Sequence, residues 1–242
     1  MIADSVIKIK GLDFSFGGPN ILENIELDIQ RNEFIGMVGP NGSGKTTLLK
    51  MLADVIEIDN GERKTGHNVS TAYYAQHLLE QLDPSSTVIG ELRKTSPEKP
   101  EGYLRNVLGG FLFPGDDVYK PVSVLSGGEK ARVALAKLLI QPTNLLLMDE
   151  PFGALDPITR AELQEEFKHI QSELNLTVIM VTHDMTEALL MAHRIAVMKD
   201  GEILQIGSPR ELINQPRHDY VKEIVEMPKR RADRLEKLIH SS

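Results

Sequence analysis

The sequence has 242 residues, of which 41% are hydrophobic and 26% charged, with a formal net charge of −8 and no cysteine. This composition predicts a soluble globular chain, and it excludes a disulfide framework, a zinc-thiolate site and a cysteine nucleophile. Because no apolar run is long enough to span a membrane and the N-terminus lacks a signal-peptide core, we expect a cytoplasmic chain, and the acidic balance disfavours nucleic acid as a partner.

The first predicted elements are two antiparallel strands, because apolar residues alternate over 6–16 and 20–29. The stretch NEFIGMVG, residues 32–39, is typical of a buried strand and leads into a glycine-rich turn. Apolar residues at helical spacing then predict a helix over 43–56, in which Val55 belongs to the apolar face.

The composition changes in the middle of the chain, where residues 78–120 are rich in Pro, Gly, Ser and charge. Short helical pieces such as TVIGELRK and EGYLRNVL indicate a small, mostly helical lobe inserted into a larger core. An amphipathic helix over 126–140 follows and ends before Pro142. The predicted division is a catalytic core of residues 1–77 and 121–207, a lobe of 78–120 with the helix 126–140, and a C-terminal helical tail of 208–242.

The later elements alternate between strands and helices. Buried strands are predicted at NLLLMD and at 176–183, with a long helix over 156–174 between them. An Asp-Gly turn predicts a hairpin over 194–207, and a basic cluster, Lys229, Arg230 and Arg231, lies in the tail. Such alternation predicts an α/β fold with a mostly parallel sheet core, N-terminal antiparallel β strands and an inserted helical lobe.

A phosphate-binding pattern follows the buried strand at 32–39. GPNGSGKT, residues 39–46, matches G-x-x-x-x-G-K-[ST], in which backbone N–H groups surround a phosphate chain. Lys45 would reach the β and γ phosphates, and the Thr46 hydroxyl would ligate Mg²⁺. A plain glycine-rich turn is the alternative, but the strand before and the helix after the pattern are what a nucleotide site requires. The predicted nucleotide-binding residues are Gly39, Pro40, Asn41, Gly42, Ser43, Gly44, Lys45, Thr46 and Thr47.

Two adjacent carboxylates, Asp149 and Glu150, follow the apolar run LLLM. Burying both charges unpaired would cost several kcal/mol, so we expect a binding site at the end of this strand. In doubly wound sheets, ligands bind at the carboxyl ends of the strands. Asp149 is therefore predicted to hold Mg²⁺, usually through water, and Glu150 to polarise the water that attacks the γ-phosphate. The alternative is one structural ion pair and one solvated carboxylate.

The motif LSGGE, residues 125–129, predicts a second anion site. Ser126 and Glu129 have the spacing of a capping box, which by itself would explain their presence. The two glycines between them leave bare N–H groups at a helix N-terminus, which attract anions. Two chains packed head to tail would each place this motif against the phosphates held by the other chain.

With these motifs the sequence resembles ATP-binding cassette (ABC) ATPase domains over residues 7–207. The resemblance rests on the P-loop, YYAQ, LSGGE, LLLMDE, ALD and VTHD, which occur in the order found in the family. It implies a P-loop NTPase fold, ATP and Mg²⁺ as cofactors, ATP hydrolysis, and an ATP-dependent head-to-tail dimer with a second copy.

The resemblance also implies catalytic roles for individual residues. Gln76 would act at the Mg²⁺ and attacking water and link this region to a partner subunit. His183 would hydrogen-bond the γ-phosphate and support Glu150. Asp156 would cross the dimer interface, although Asp156-Pro157 is also a good helix start.

Two further contacts to nucleotide are implied by the resemblance. Ser126, Gly127, Gly128 and Glu129 would act on the nucleotide of the partner chain. Phe16 would stack on the adenine ring, although the chain offers Phe14 close by and either ring could belong to the core.

The two halves of the chain resemble different branches of the family. Residues up to about 150 resemble the ABC-F subfamily, which acts on ribosomes, and later residues resemble ATPase subunits of glycine betaine or choline-type importers. One hypothesis is a chimera recombined near residues 148–152. The alternative is a natural importer ATPase with an unusual helical lobe.

Three functions remain open at this point. The first is an ATPase that powers an osmoprotectant or small-solute importer, peripheral on the inner face of the membrane through a permease subunit. The second is an engineered chimeric cassette without a physiological transporter partner. The third is a fragment of an ABC-F-like ribosome-associated ATPase.

Overall fold

The structure is a computed structural model that describes residues 5–74 and 80–240. Its strands are β1 Ser5–Phe14, β2 Leu22–Gln30, β3 Phe34–Val38, β4 Asn60–Thr65, β5 Thr71–Tyr74, β6 Leu145–Asp149, β7 Thr177–Thr182, β8 Arg194–Lys199 and β9 Glu202–Gly207. Its helices are α1 Lys45–Leu52, α2 Val88–Thr95, α3 Glu101–Gly110, α4 Gly127–Leu139, α5 Pro157–Glu173, α6 Met185–Met191, α7 Pro209–Asn214 and α8 Asp219–His240. The predicted α/β fold is confirmed.

The chain forms two compact units, Met1–His67 with Val178–Ser242, and Asn68–Thr177. The second unit contains the helical lobe together with β6 and α5. These units divide the chain differently from the core, lobe and tail expected from composition, and that functional division stays a prediction. Gln76 and the predicted boundary at 77–78 lie outside the described residues.

The first unit begins with a small antiparallel sheet in the order β2-β1-β4. Ile9 lies opposite Leu27 on β2 and opposite Arg63 on β4. The predicted antiparallel pair is therefore confirmed. The sequence of β4, NGERKT, is entirely polar, and because it has no apolar alternation its pairing with β1 could not be predicted from pattern.

Four further strands of this unit pair in the order β7-β3-β8-β9. β3 runs parallel to β7 and β8, and all five of its residues are buried, as its continuous apolar sequence predicts. β8 and β9 form the predicted hairpin, in which Asp200 and Gly201 both have positive φ, 49° and 85°. Two consecutive residues with positive φ are what a type I′ hairpin turn requires.

The first helix is shorter than the sequence predicts. α1 ends at Leu52, and Asp54 has a left-handed φ of 62°. Val55 is exposed rather than part of the apolar face, so that part of the prediction is wrong. A left-handed residue ends a helix because it turns the chain away from the helical path, and this local choice overrides the apolar periodicity.

The second unit contains the parallel pair β5-β6 and the helical lobe. Within the lobe, Glu91 connects α2 to α4, because its carboxylate lies 2.6 Å from the Lys137 ammonium and 2.8 Å from that of Lys94. Its side chain is only 2% exposed. Burial acts to raise the pKa of Glu91, but the hydrogen bonds from Lys137 and Lys94 outweigh it and the pKa lies below its ordinary value.

The tail forms two helices, α7 and α8. The first turns of α8 pack on the first unit through Val221 and Val225, which are both buried. The later turns, from Lys229 onward, are exposed wherever their side chains are described. No helix in residues 5–74 or 80–240 is long and apolar enough to cross a membrane.

Candidate active site

The glycine-rich loop begins directly after the last residue of β3, and tight packing dictates its glycines. A Cβ on Gly39 would lie 2.2 Å from the Met198 carbonyl oxygen on β8. Gly44, the N-cap of α1, has φ 90°, and a Cβ there would lie 2.6 Å from a methyl group of Leu22. Only glycine satisfies both the close approach and the left-handed backbone. Pro40, Asn41 and Gly42 form the exposed outer edge of the loop.

Lys45 is the first residue of α1 and only 6% exposed. Its ammonium donates hydrogen bonds to the carbonyl oxygens of Gly39 and Pro40, at 2.7 and 2.8 Å, and to the Ser43 hydroxyl at 3.3 Å. The cation is therefore held at the mouth of the loop. Thr46 and Thr47, both half-buried, occupy the same first turn of the helix. A cation, a hydroxyl and a helix N-terminus together provide the donors that a phosphate chain needs.

His183 lies at the same sheet edge as the loop. β3 and β7 are parallel, and Val38 of β3 lies opposite Thr182 of β7. Gly39 directly follows Val38 and His183 directly follows Thr182, so both residues come at the same end of the two strands. Both residues line one cavity of about 420 Å³ within the first unit. Asp184 accepts a hydrogen bond from the Thr186 N–H at 2.8 Å and begins α6, which fixes the turn that carries His183.

Phe16 and Phe14 have different environments. The rings meet edge to face, with centroids 4.8 Å apart, but Phe14 is buried and Phe16 is 69% exposed. Phe14 is therefore a core residue, whereas Phe16 presents an aromatic face to solvent. Of the two alternatives left open by the sequence, the structure leaves Phe16 as the ring that is accessible for stacking on a base.

In the second unit, Asp149 is the last residue of β6 and Glu150 follows it, both half-buried. Burial, with a smaller contribution from the Asp149 charge, raises the pKa of Tyr73 on β5 to about 12. Glu150 has a left-handed φ of 46°. This conformation costs about 1–2 kcal/mol for a residue other than glycine. Residues held in such a conformation cluster at functional sites.

The helix α4 begins with the predicted capping box. The Ser126 hydroxyl accepts from the Glu129 N–H at 3.2 Å, and the Glu129 carboxylate accepts from the Ser126 N–H at 2.8 Å. A Cβ on Gly127 would meet nothing within 4 Å, so the first turn of the helix is open on that side. A Cβ on Gly128 would lie 3.6 Å from the Ala154 carbonyl oxygen, which places the segment before Asp156 beside this turn.

Asp156 is the N-cap of α5, and Pro157 is its first residue. The carboxylate accepts from the N–H groups of Ile158 and Thr159, at 3.2 and 3.1 Å. Hydrogen bonds from Thr159 lower the pKa of Asp156. The helix-start interpretation of Asp156 is thus confirmed, and its role across a dimer interface stays a prediction.

Sequence reasoning missed Arg132 on α4. Its guanidinium donates to the carbonyl oxygens of Phe111 and Leu112, at 3.2 and 2.8 Å, and lies 4.7 Å from the centre of the Phe113 ring. Burial lowers the pKa of Arg132. The contact joins residues 20 positions apart, so no local motif could have indicated it. It fixes α4, and hence the Ser126–Glu129 turn, against the residues that follow α3.

The capping box gives a pH-dependent prediction. The hydrogen bond from the Ser126 N–H lowers the pKa of Glu129 below its ordinary value of 4.5. Glu129→Gln keeps the hydrogen-bonding shape but removes the charge, which near a helix N-terminus contributes about 0.3–1 kcal/mol. Because folding lowers the pKa of Glu129, the extra stability of the wild type over Glu129→Gln is present at neutral pH. It is lost as the pH falls through the folded-state pKa.

Urea denaturation of wild type and Glu129→Gln at neutral pH and at a pH well below 4.5 measures this difference. The matched control is Glu98→Gln, which changes an exposed carboxylate in the loop before α3. A difference between wild type and Glu129→Gln that stays constant over this pH range would contradict the prediction.

Comparison with protein families shows that the ABC transporter family profile matches residues 22–153. Among curated relatives, the chain is similar to the glycine betaine/carnitine/choline transport ATP-binding protein OpuCA of Bacillus subtilis, with 38% identity over 226 residues, 86% of this chain and 59% of the relative. It is also similar to the spermidine/putrescine import ATP-binding protein PotA of Borreliella afzelii, with 37% identity over 91% of this chain and 67% of the relative. The chain thus spans about three fifths of the OpuCA length.

Solved structures with the same fold include cbiO1 from Clostridium perfringens, part of the ABC transporter complex cbiONQ. It has a TM-score of 0.75 and 26% identity, and the match covers 97% of this chain and 99% of that one. The ATP-binding cassette MJ0796, solved as a dimer in a post-hydrolysis state with ADP and Pi, has a TM-score of 0.69 and 24% identity over 84% of this chain and 99% of its own. This second likeness concerns the fold alone.

Proposed function

We propose that this chain, which belongs to the ABC transporter family, binds ATP with Mg²⁺ and hydrolyses it between two copies arranged head to tail. The observation that carries the proposal is the pair of separate helix starts suited to phosphate, one in each unit. Lys45 and the glycine-rich loop precede α1, and the open Gly127 turn begins α4. In a head-to-tail dimer, the loop of one copy and the α4 start of the other would enclose one nucleotide.

Binding would rest on side chains and backbone that the structure already orders. The backbone N–H groups of Gly39 and of residues 41–47 surround the phosphates, and Lys45 places its charge on the β and γ phosphates. Phe16 stacks on the adenine with its exposed ring. In the other copy, the turn from Ser126 to Glu129 closes on the γ-phosphate through its N–H groups.

The residues present fit Mg²⁺, because the Thr46 hydroxyl and the Asp149 carboxylate are the hard oxygen donors that this ion prefers. Gln76, outside the described residues, would add a side-chain oxygen. When bound, Mg²⁺ supplies positive charge that stabilises the phosphate oxygens. The roles of Thr46 and Asp149 at the metal are proposals that follow from the family.

In hydrolysis, water attacks the γ-phosphorus and the bond to the β,γ-bridging oxygen breaks, so that ADP and phosphate form. Glu150 orients the water and accepts its proton. His183 donates a hydrogen bond to a γ-phosphate oxygen and keeps Glu150 in position. Asp156 crosses the dimer interface. Each of these roles is a proposal that follows from the family.

The test of a site shared between two copies is the dependence of turnover on protein concentration. If each nucleotide needs two copies, ATP turnover per chain should rise as the protein concentration is raised and level off once dimers predominate. A phosphate-release assay over a dilution series measures this. Turnover per chain that stays constant across the series, with sedimentation showing monomers throughout, would contradict the composite site.

We further propose that the ATPase serves a small-solute importer. OpuCA is named for glycine betaine/carnitine/choline transport and PotA for spermidine/putrescine import, and the match to each covers both halves of this chain. In such a system the chain would bind a permease subunit and lie on the inner face of the membrane. Pull-down against permease subunits and against ribosomes distinguishes this role from that of an ABC-F factor. The recombination near residues 148–152 stays a hypothesis.

A further inference from the structure

The cavity beside the glycine-rich loop has a second wall that belongs to no nucleotide motif. Gly39, Pro40 and the turn 183–186 form one side of its 420 Å³, and α8 forms the other through residues that include Ile224, Met227 and Arg231. All of these residues lie in the same unit. α8 thus extends the surface around the predicted γ-phosphate position with apolar and cationic side chains.

α8 is held firmly where it lines this cavity. Val221 and Val225 are buried, and the Lys199 ammonium lies 5.0 Å from the centre of the Tyr220 ring. Met227, in contrast, is 42% exposed, and Pro228 follows inside the helix. A proline removes one helical hydrogen bond, so the helix past this point is less strongly tied to the turn before it. The wall therefore has a fixed base and an exposed apolar edge.

A second exposed apolar side chain, like that of Met227, lies at the start of α5. Ile158 is 74% exposed and comes two residues after the N-cap Asp156, which is proposed to cross the dimer interface. Glu162 and Glu165 follow at four and seven residues, on the same helical face, and both are exposed. The segment 156–165 thus presents one apolar side chain followed by carboxylates.

The charges of the two elements are complementary. Between Lys229 and Lys237, α8 carries five cationic side chains and two carboxylates, Asp233 and Glu236. The stretch from Asp156 to Glu173 instead carries five carboxylates and two cationic side chains. Arg230 is paired with Glu226 at 2.7 Å. Among these cations Arg231 lines the cavity, and it forms no ion pair within the part of the chain that the structure describes; the carboxylates of Asp184 and Glu223 line the same cavity. Complementary charge of this kind favours one docking orientation over others.

We propose that the cavity between α8 and the Gly39–Pro40 and 183–186 walls receives the segment 156–165 of a second copy of this chain. This inference rests on the proposed head-to-tail dimer and adds α8 to its interface. Ile158 enters beside Met227 and Ile224, and the carboxylates of Glu162 and Glu165 face Arg231. α8 then stabilises the ATP-bound dimer without contacting the nucleotide.

Disulfide cross-linking tests this contact directly, because the wild-type chain contains no cysteine. Two single variants, Ile158→Cys and Met227→Cys, are prepared in a Glu150→Gln background and mixed, so that any cross-link between the two positions joins different chains. We expect an oxidised heterodimer that forms with ATP and not without it. The matched control replaces Ile158→Cys by Leu174→Cys, which is exposed just after the other end of α5 and should not cross-link to position 227.

The charge contribution is measured separately by sedimentation in the same background. Arg231→Glu should raise the dissociation constant of the ATP-bound dimer roughly tenfold, equivalent to about 1.4 kcal/mol. Lys237→Glu makes the same charge change farther along α8, away from the cavity, and should have a smaller effect. Nucleotide affinity of each variant, measured at protein concentrations where monomers prevail, verifies that the chain is folded.

The outcomes separate this inference from the proposed function. If the Glu150→Gln protein dimerises with ATP but positions 158 and 227 do not cross-link and Arg231→Glu has no effect, the α8 contact is wrong and the ATPase dimer stands. Cross-linking of equal yield with and without ATP also overturns it. If the Glu150→Gln protein stays monomeric with ATP, the composite site and the α8 contact are both wrong.

Discussion

Lys45→Ala is expected to weaken ATP binding by about 2–4 kcal/mol, a factor of roughly 30 to 1,000. The ammonium is the buried cation at the mouth of the loop, and it is held by the carbonyl oxygens of Gly39 and Pro40. Removing it withdraws the charge from the β and γ phosphates and leaves these carbonyl oxygens without that donor. Fluorescent-nucleotide titration measures the affinity of both proteins.

The control for this prediction is Lys50→Ala, which removes a lysine from the last turn of the same helix. It should leave ATP affinity close to that of the wild type, because it lies away from the loop. Urea denaturation measures the free energy of unfolding of both variants. It shows how much of a loss in ATP affinity comes from a destabilised loop. Equal ATP affinity of Lys45→Ala and wild type would contradict the predicted role of the glycine-rich loop.

Glu150→Gln is expected to reduce ATP turnover by roughly 10²- to 10⁴-fold while ATP still binds. The amide has nearly the same shape as the carboxylate, so the left-handed backbone at this position, φ 46°, need not change. It cannot accept a proton from the attacking water. It also removes a negative charge near the proposed γ-phosphate position, so ATP-bound dimers should persist longer than in the wild type.

Phosphate release and sedimentation with ATP measure the two effects of Glu150→Gln. The matched control is Glu173→Gln, which makes the same chemical change at an exposed position of α5 in the same unit. It should retain wild-type turnover under conditions where dimers are saturated. A Glu150→Gln protein that hydrolyses ATP at the wild-type rate would remove Glu150 from the mechanism.

The local elements of the site could be predicted from the sequence because their interactions span only a few residues. The capping box joins Ser126 and Glu129, and the Asp200-Gly201 turn joins neighbouring strands. The buried strand β3 follows from a continuous apolar run. The motif order likewise predicted the family, because the glycine positions and charges are set by phosphate geometry.

Contacts between distant residues were decided only by the tertiary structure. Glu91 and Lys137 are 46 residues apart and form an ion pair in which the carboxylate is buried, and Arg132 reaches back 20 residues to Leu112. Neither contact leaves a periodic trace in the sequence, because each depends on where whole helices come to lie. The all-polar strand β4 is a further case, since its place is set by pairing with β1 rather than by its own pattern.

The sequence by itself determined the motifs on which the proposed chemistry rests: a P-loop, two carboxylates after a buried strand and a capped glycine turn. These are encoded in short stretches, where the residue types needed for phosphate contact are fixed by backbone geometry. Only the tertiary structure decided that Phe14 belongs to the core while Phe16 is exposed, and that α8 forms a wall of the cavity beside His183. Both outcomes depend on burial by residues far away in the chain, which no local pattern specifies.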